Sequence, residues 1–225
     1  MVQPQTTSRW TRQLRGLYAV TPDIVDIALL VGKVEAAIAG GAQAIQYRNK
    51  AAPRPLRRKQ AAMLARVCGG GGALLIVNDD IDLAREVGAA GVHLGEDDGD
   101  IGRARENLGE NMLIGVSCYN DLARAKRLVA EGADYVAFGS FHASPTKPGA
   151  RRAEPALLRR ARTLGVPVVA IGGITAANGR ALVAAGADAL AVVSAVFDHD
   201  NLGDVRRAAA AIVACFDTGP SAGKK

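Results

Sequence analysis

Aromatic residues are scarce in this chain: 4 Phe, 4 Tyr and 1 Trp among 225 residues. A β-sandwich core usually draws on more of them, so the shortage favours an α/β or all-α core built from Ala, Val, Leu and Ile. Cysteine is scarcer still. Cys68, Cys118 and Cys215 are odd in number, and no pair has CxxC or zinc-ligand spacing. That excludes a disulfide framework and suits free thiols in a reducing cytosol. No apolar run reaches the ~18 residues of a membrane span. The opening MVQPQTTSRWTRQLRG is polar and basic with no apolar stretch, unlike a secretory signal. A cytoplasmic protein with no membrane partner is therefore expected. Positive charge is in modest excess, with 28 Lys and Arg against 22 Asp and Glu, or +6. The basic residues fall in short runs without interleaved aromatics, so no nucleic-acid partner is expected. A ligand carrying phosphates suits the same charge.

Apolar residues make up 49% of the chain and charged residues 22%, as in an ordinary globular protein. Short apolar runs recur at 17–20, 44–47, 74–77, 91–93, 113–116, 135–138, 168–171 and 189–193, bounded by Gly, Asp, Asn or Pro. Continuous apolar runs of this kind read as parallel strands buried on both faces. Between them, helical periodicity runs through 25–39, 57–67, 122–131, 178–185 and 202–216. Gly40, Gly88, Gly132 and Gly186 mark helix ends. The phrases GGAQAIQ, GAAGVHLG, EGADYVAFG and AGADALAVV repeat one grammar of helix end, Gly turn and strand. Eight βα units in a chain of this length predict a single (β/α)8 TIM barrel, with a doubly wound sheet as the alternative. The expected organisation is a polar extension over 1–15, the barrel over 16–216 and a loose tail over 217–225. The Gly69 to Gly72 run reads as a flexible loop. The arginine-rich segment 54–59 and the loop 147–152 read as segments able to move over the rim.

In such barrels chemistry sits at the C-terminal ends of the strands. There the sequence places Gln46, Tyr47, Arg48, Asn49 and Lys50 after the second strand, Asn78 and Asp79 after the third, and Asp98 after the fourth. Ser117 ends the fifth strand. Ser144, Pro145, Thr146 and Lys147 follow the sixth, Gly172 and Gly173 the seventh, and Val193 and Ser194 the eighth. Alternation points Gln46, Arg48 and Lys50 one way, and a guanidinium beside an ammonium suits pyrophosphate. Asp79 and Asp98 on adjacent strands are placed to share magnesium, which takes one or two carboxylates and completes its shell with water and phosphate oxygens. The loops after the last two strands match the barrel phosphate site. Two anion sites on one rim suggest an enzyme joining two phosphorylated molecules.

The motifs GLYAVTPD, IQYRNK, IVNDD, GVHLGEDD, GVSCYN, DYVAFGSFHASPTKP, VVAIGGIT and AGADALAVVSAVF make the chain resemble the thiamine phosphate synthase family over nearly its whole length. The resemblance implies a transferase that couples 4-amino-2-methyl-5-(diphosphooxymethyl)pyrimidine to a (carboxy)thiazole phosphate, giving thiamine phosphate and pyrophosphate. It places the pyrimidine pyrophosphate on Gln46, Tyr47, Arg48, Asn49 and Lys50, with Asn78, Ser117 and Lys147. It places one magnesium ion on Asp79 and Asp98. It places the thiazole phosphate on Ser144, Pro145, Thr146, Gly173, Val193 and Ser194. Lys147, Arg48, Lys50 and Ser117 then carry the catalytic work. Asn49 stands where the family commonly has glutamate and should point away from the rim. Ser144 replaces a common Thr, and Ala143 a common Pro. A thiazole tautomerase of the same barrel type and a non-catalytic barrel that binds thiamine precursors are the alternatives. A homo-oligomer stays open. His93 reads as packing or a strand-end hydrogen bond, His142 as within reach of substrate, Cys118 as buried, and Asp80 as a helix N-cap.

Overall fold

The computed structural model describes residues 14–95, 101–143 and 151–217. Eight parallel strands close into a barrel in chain order: β1 Gly16–Val20, β2 Ala42–Tyr47, β3 Leu74–Asn78, β4 Gly91–Leu94, β5 Leu113–Tyr119, β6 Tyr135–Phe138, β7 Val168–Ile171 and β8 Ala189–Val192. β8 pairs with β1, Gly16 opposite Ala189, and seals the sheet. Around it lie α1 Ile27–Ala39, α2 Arg54–Gly71, α3 Ile81–Glu86, α4 Ile101–Leu108, α5 Leu122–Ala130, α6 Pro155–Ala161, α7 Ala176–Ala184, a short α8 Ser194–Phe197 and α9 Leu202–Val213. The structure is the single (β/α)8 barrel that the repeated grammar predicts.

The alternation of each strand divides its side chains between two cores. Leu17, Ile45, Val77, Val92, Val136 and Leu190 face the helices. Tyr18, Ala44, Ile76, Leu113, Tyr135, Val169 and Ala191 fill the interior. Small residues there leave room for two tyrosines. Gly115 faces one of them so closely that a Cβ would lie 1.9 Å from Tyr135 Cζ. Leu14 is 1% exposed and belongs to the interior core, so the buried chain begins inside the segment expected to be a polar extension. The rest of that extension, residues 1–13, and residues 218–225 of the tail lie outside the described residues.

The repeated Gly-Ala-Asp phrase has a structural cause. Asp134 accepts a hydrogen bond from the backbone N–H of Ile114 at 2.8 Å, and Asp188 one from Val168 at 3.0 Å. Each aspartate thus ties the start of the preceding strand to its neighbour. α1 begins at Ile27, later than periodicity suggests, because the Asp26 side chain caps it on the N–H of Leu29 at 3.0 Å. α2 departs most from expectation. Proline is tolerated in a first turn, so Pro55 does not delay the helix, and residues 54–59 are its first turns, not a mobile loop. Gly69, Gly70 and Gly71 are its last turn, and Gly72 is its left-handed cap at φ 72°. A Cβ on Gly71 would lie 2.7 Å from Ile38 Cγ2, so glycine lets α2 close against α1. After β8, α8 precedes the expected final helix.

Candidate active site

The rim is built from the sequence motifs outward. Gln46 points into the barrel, 5% exposed, and its Nε2 donates to the Tyr18 hydroxyl at 3.0 Å. The next residue must point the other way. Tyr47 does so and donates to Gln60 Oε1 at 2.8 Å beneath α2. Asn49 joins it there, donating to the Ile24 carbonyl at 2.9 Å and to Gln60 at 3.0 Å. Its Oδ1 accepts from the Ala52 N–H at 3.1 Å. The polar atoms of Tyr47 and Asn49 are therefore engaged with the α2 side of the barrel. Asn49 points away from the rim as expected, and the two residues give the 46–50 segment its shape instead of reaching inward beside Gln46.

Arg48 and Lys50 are set by the first motif. The Thr21 hydroxyl accepts from the Arg48 N–H at 2.9 Å and lies 3.0 Å from the Arg48 carbonyl. Asp23 accepts from the Lys50 N–H at 3.0 Å and pairs with the Arg48 guanidinium at 3.5 Å. These anchors were unassigned in the sequence reading, although both lie in the GLYAVTPD motif. The Lys50 ammonium reaches Asp79 Oδ2 at 3.1 Å. Asp79 holds φ at 63°, the left-handed region, and its N–H donates to the His93 carbonyl at 2.9 Å. Lys50, Asp79 and Asn78 border a cavity of about 230 Å³, with Tyr47 and Asn49 behind it.

Arg57, from the arginine-rich segment expected to move over the rim, also borders this cavity. Its guanidinium pairs with Asp80 at 3.5 Å, and its Nε is buried without a hydrogen-bond partner. The missed signal was helical spacing. Arg57 lies three residues before Gln60, so both share the face of α2 turned to the strand ends. Asp80 is the N-cap of α3, as expected, accepting from the Leu83 N–H at 2.9 Å.

Across the rim, Ser117 Oγ lies 2.9 Å from His93 Nε2. β5 does not end at Ser117 but runs to Tyr119 through a register shift, which turns Cys118 into the outer core. Burial pushes the Cys118 thiol up to about 12. After β7, Gly172 and Gly173 have φ of 103° and 62°. Glycine is needed there first for contact with the chain itself, since a Cβ on Gly173 would lie 2.2 Å from the Ala143 carbonyl oxygen. Asn178 fixes this turn, donating to the Gly173 carbonyl at 3.0 Å while accepting from the Thr175 N–H at 2.9 Å. Val193 is the N-cap residue of α8 and Ser194 its first residue, directly after β8, which pairs with β7. His142 donates its N–H to the Gly172 carbonyl at 3.0 Å, and its Nε2 is buried without a partner. Asp98, Ser144, Pro145, Thr146 and Lys147 lie outside the described residues.

The donor chemistry at Asp79 fits magnesium. Its carboxylate is a hard oxygen donor at a cavity edge, and Lys50 and Arg57 border the same cavity. No cluster of three or more His, Cys, Asp or Glu ligands occurs among the described residues. No helix among the described residues is long and apolar enough to cross a membrane.

The family model for thiamine monophosphate synthase matches residues 17–196. The thiamine-phosphate synthase of Thiobacillus denitrificans is 53% identical over 206 residues, spanning 91% of this chain and 96% of its own. That of Chromobacterium violaceum is 51% identical over 198 residues, spanning 88% and 96%. Among solved structures, the thiamine phosphate pyrophosphorylase of Pyrococcus furiosus superposes with a TM-score of 0.77 at 36% identity, covering 91% of this chain and 98% of its own. With the matched span running from within β1 into α8, and so across all eight strands, the chain belongs to the thiamine monophosphate synthase family.

Proposed function

We propose that this chain is a thiamine phosphate synthase, a transferase that joins 4-amino-2-methyl-5-(diphosphooxymethyl)pyrimidine to a thiazole phosphate. The observation that carries this reading is the Lys50–Asp79 pair at 3.1 Å on a polar cavity, next to Arg48 and Arg57, in a chain of this family. A tautomerase would have no use for that set, because it neither binds nor releases pyrophosphate. In the reaction the C–O bond of the pyrimidine methylene breaks and its electron pair leaves with pyrophosphate. The ring amino group stabilises the cation, and the thiazole nitrogen lone pair forms the new C–N bond.

No covalent nucleophile is required, so the protein's work is electrostatic and positional. Arg48, Lys50, Arg57 and Lys147 receive the pyrophosphate. Thr21 and Asp23 keep the first two in place before substrate arrives. Gln46, Asn78 and Ser117 orient the pyrimidine end. Asp79 and Asp98 would hold magnesium, which supplies positive charge to the diphosphate when bound. Ser144, Pro145, Thr146, Gly173, Val193 and Ser194 receive the thiazole phosphate. Incubation with both substrates and magnesium should yield thiamine phosphate and pyrophosphate in equal amounts. Neither product appearing, under conditions where the chain is folded, would overturn the reading.

A further inference from the structure

A continuous chain of hydrogen bonds crosses the barrel interior beneath the rim. Gln46 Nε2 donates to the Tyr18 hydroxyl at 3.0 Å. Tyr18 and Tyr135 hydroxyls are 2.8 Å apart, Tyr135 lies 3.0 Å from His93 Nδ1, and His93 Nε2 lies 2.9 Å from Ser117 Oγ. Five residues from β2, β1, β6, β4 and β5 thus link two positions of the candidate site, Gln46 and Ser117. Both tyrosines are almost wholly buried, and Gly115 is the residue that makes room for the second.

The direction of this chain follows from counting protons. The Gln46 amide donates an N–H hydrogen bond to the Tyr18 oxygen, so the Tyr18 hydroxyl, to have a partner for its own hydrogen, donates to Tyr135. Tyr135 in turn donates its O–H to His93 Nδ1. A histidine that accepts at Nδ1 carries its proton on Nε2, and that proton points at Ser117 Oγ. Ser117 accepts this bond and does not spend its own hydrogen on His93, which leaves that hydrogen to donate toward the rim. We infer that Tyr18, Tyr135 and His93 act as a one-way positioning relay, which presents Ser117 as a hydrogen-bond donor to the pyrimidine pyrophosphate. The relay rests on the reading of this rim as the synthase site. Its content is the donor role at Ser117 and its coupling to the amide orientation of Gln46 on the opposite wall. A ligand that turned the Gln46 amide would reverse every bond and leave Ser117 an acceptor.

The test is ¹⁵N NMR of the full, histidine-labelled chain without substrates, with His142→Gln and His199→Gln isolating the His93 signals. The expected result is a proton on Nε2 and an unprotonated, hydrogen-bonded Nδ1. A proton on Nδ1 would overturn the relay. Tyr18→Phe supplies a second arm. Without that phenol Tyr135 can accept as well as donate, so both His93 tautomers should appear. A His93 spectrum identical to wild type would show that the direction is set locally, and the relay would fall. In the synthase assay Tyr18→Phe should lower kcat about tenfold, the lower end of what lost outer-shell support costs, with KM for the thiazole phosphate unchanged. An unchanged kcat would remove the catalytic role. Lack of synthase activity in the wild-type chain would strike the functional reading alone, because the NMR measurement needs no substrate.

Discussion

Asp79 occupies a backbone conformation that few side chains tolerate, with φ at 63°. Asparagine is among the few that do. Asp79→Asn therefore keeps the turn and removes only the charge that pairs with Lys50 and that the proposed function assigns to magnesium. Turnover at limiting magnesium should fall by more than about tenfold, with part of it restored by excess magnesium. A magnesium titration of the rate checks this, and near-normal turnover at limiting magnesium would release Asp79 from its metal role. Lys147 belongs to the same argument through its match to the family motif. A cation aimed at a leaving group gains most as the C–O bond breaks, so its effect is greater in the transition state than in the ground state. By analogy with loss of one oxyanion donor, Lys147→Ala should lower single-turnover rates by about 10²–10³-fold with both substrates saturating. Lys147→Arg should recover part, because a planar fork does not replace a point charge on a flexible stem. If Lys147→Ala changed binding alone, the lysine would be a binding group only.

At the scale of elements, the turn after β7 and the segment after β6 form one unit. The Gly173 position abuts the Ala143 carbonyl, and Asn178 at the start of α7 holds its other side. Gly173→Val forces the 142–143 backbone to shift, just ahead of Ser144, Pro145 and Thr146. The KM for the thiazole phosphate should rise far more than the KM for the pyrimidine substrate. Equal rises would point to a general folding defect. Gly115→Ala makes the opposite prediction about the barrel itself. Its methyl group would meet the Tyr135 ring at 1.9 Å, so the substitution should cost the 1–3 kcal/mol or more typical of overpacking, read from urea unfolding. The strand and helix pattern was legible because apolar runs and helical periodicity differ in period. The end of α2 was not. Three glycines suggest a loop by composition, and only the packing of Gly71 on Ile38 shows why the helix continues through them.

The whole molecule carries a stability signature in its buried acids. Burial pushes the Cys68 and Cys118 thiols up to about 12 from an ordinary value of 9.0. It also raises the Tyr18, Tyr47 and Tyr135 hydroxyls above their ordinary value of 10.0. Below pH 9 both folded and unfolded chains keep these protons. Above it the unfolded chain releases thiol protons that the native chain retains, so stability falls as pH rises. By pH 10 each of the two cysteines should have removed about 1 kcal/mol, measurable as a lower urea midpoint than at pH 8. The same thiols should react slowly with alkylating reagents in the native chain at pH 8 and rapidly in denaturant. Fast native labelling at both would contradict their burial.

The sequence alone determined the architecture, and with it the strand ends at which the candidate residues stand. Eight repeats of one βα grammar allow few closures, and in a parallel barrel every strand end lies on the same face. Residues as far apart as Gln46, Asn78, Ser117, Gly173 and Ser194 could thus be assigned to one site from their strand positions. Alternation further separated Gln46 from Asn49. What depended on tertiary structure was how those residues are held and which neighbours join them. Thr21 and Asp23 act through contacts 25–27 residues away, and Arg57 reaches the cavity from a helix face whose partner is known only after packing. The interior relay lay furthest from sequence reading. Tyr18 and Tyr135 are separated by 117 residues, and their hydroxyls meet only because the closed barrel brings β1 and β6 across its axis while Gly115 leaves the space between them. Hydrogen bonds across a closed core depend on distances between strands that are not neighbours, and no local pattern in the chain encodes those distances.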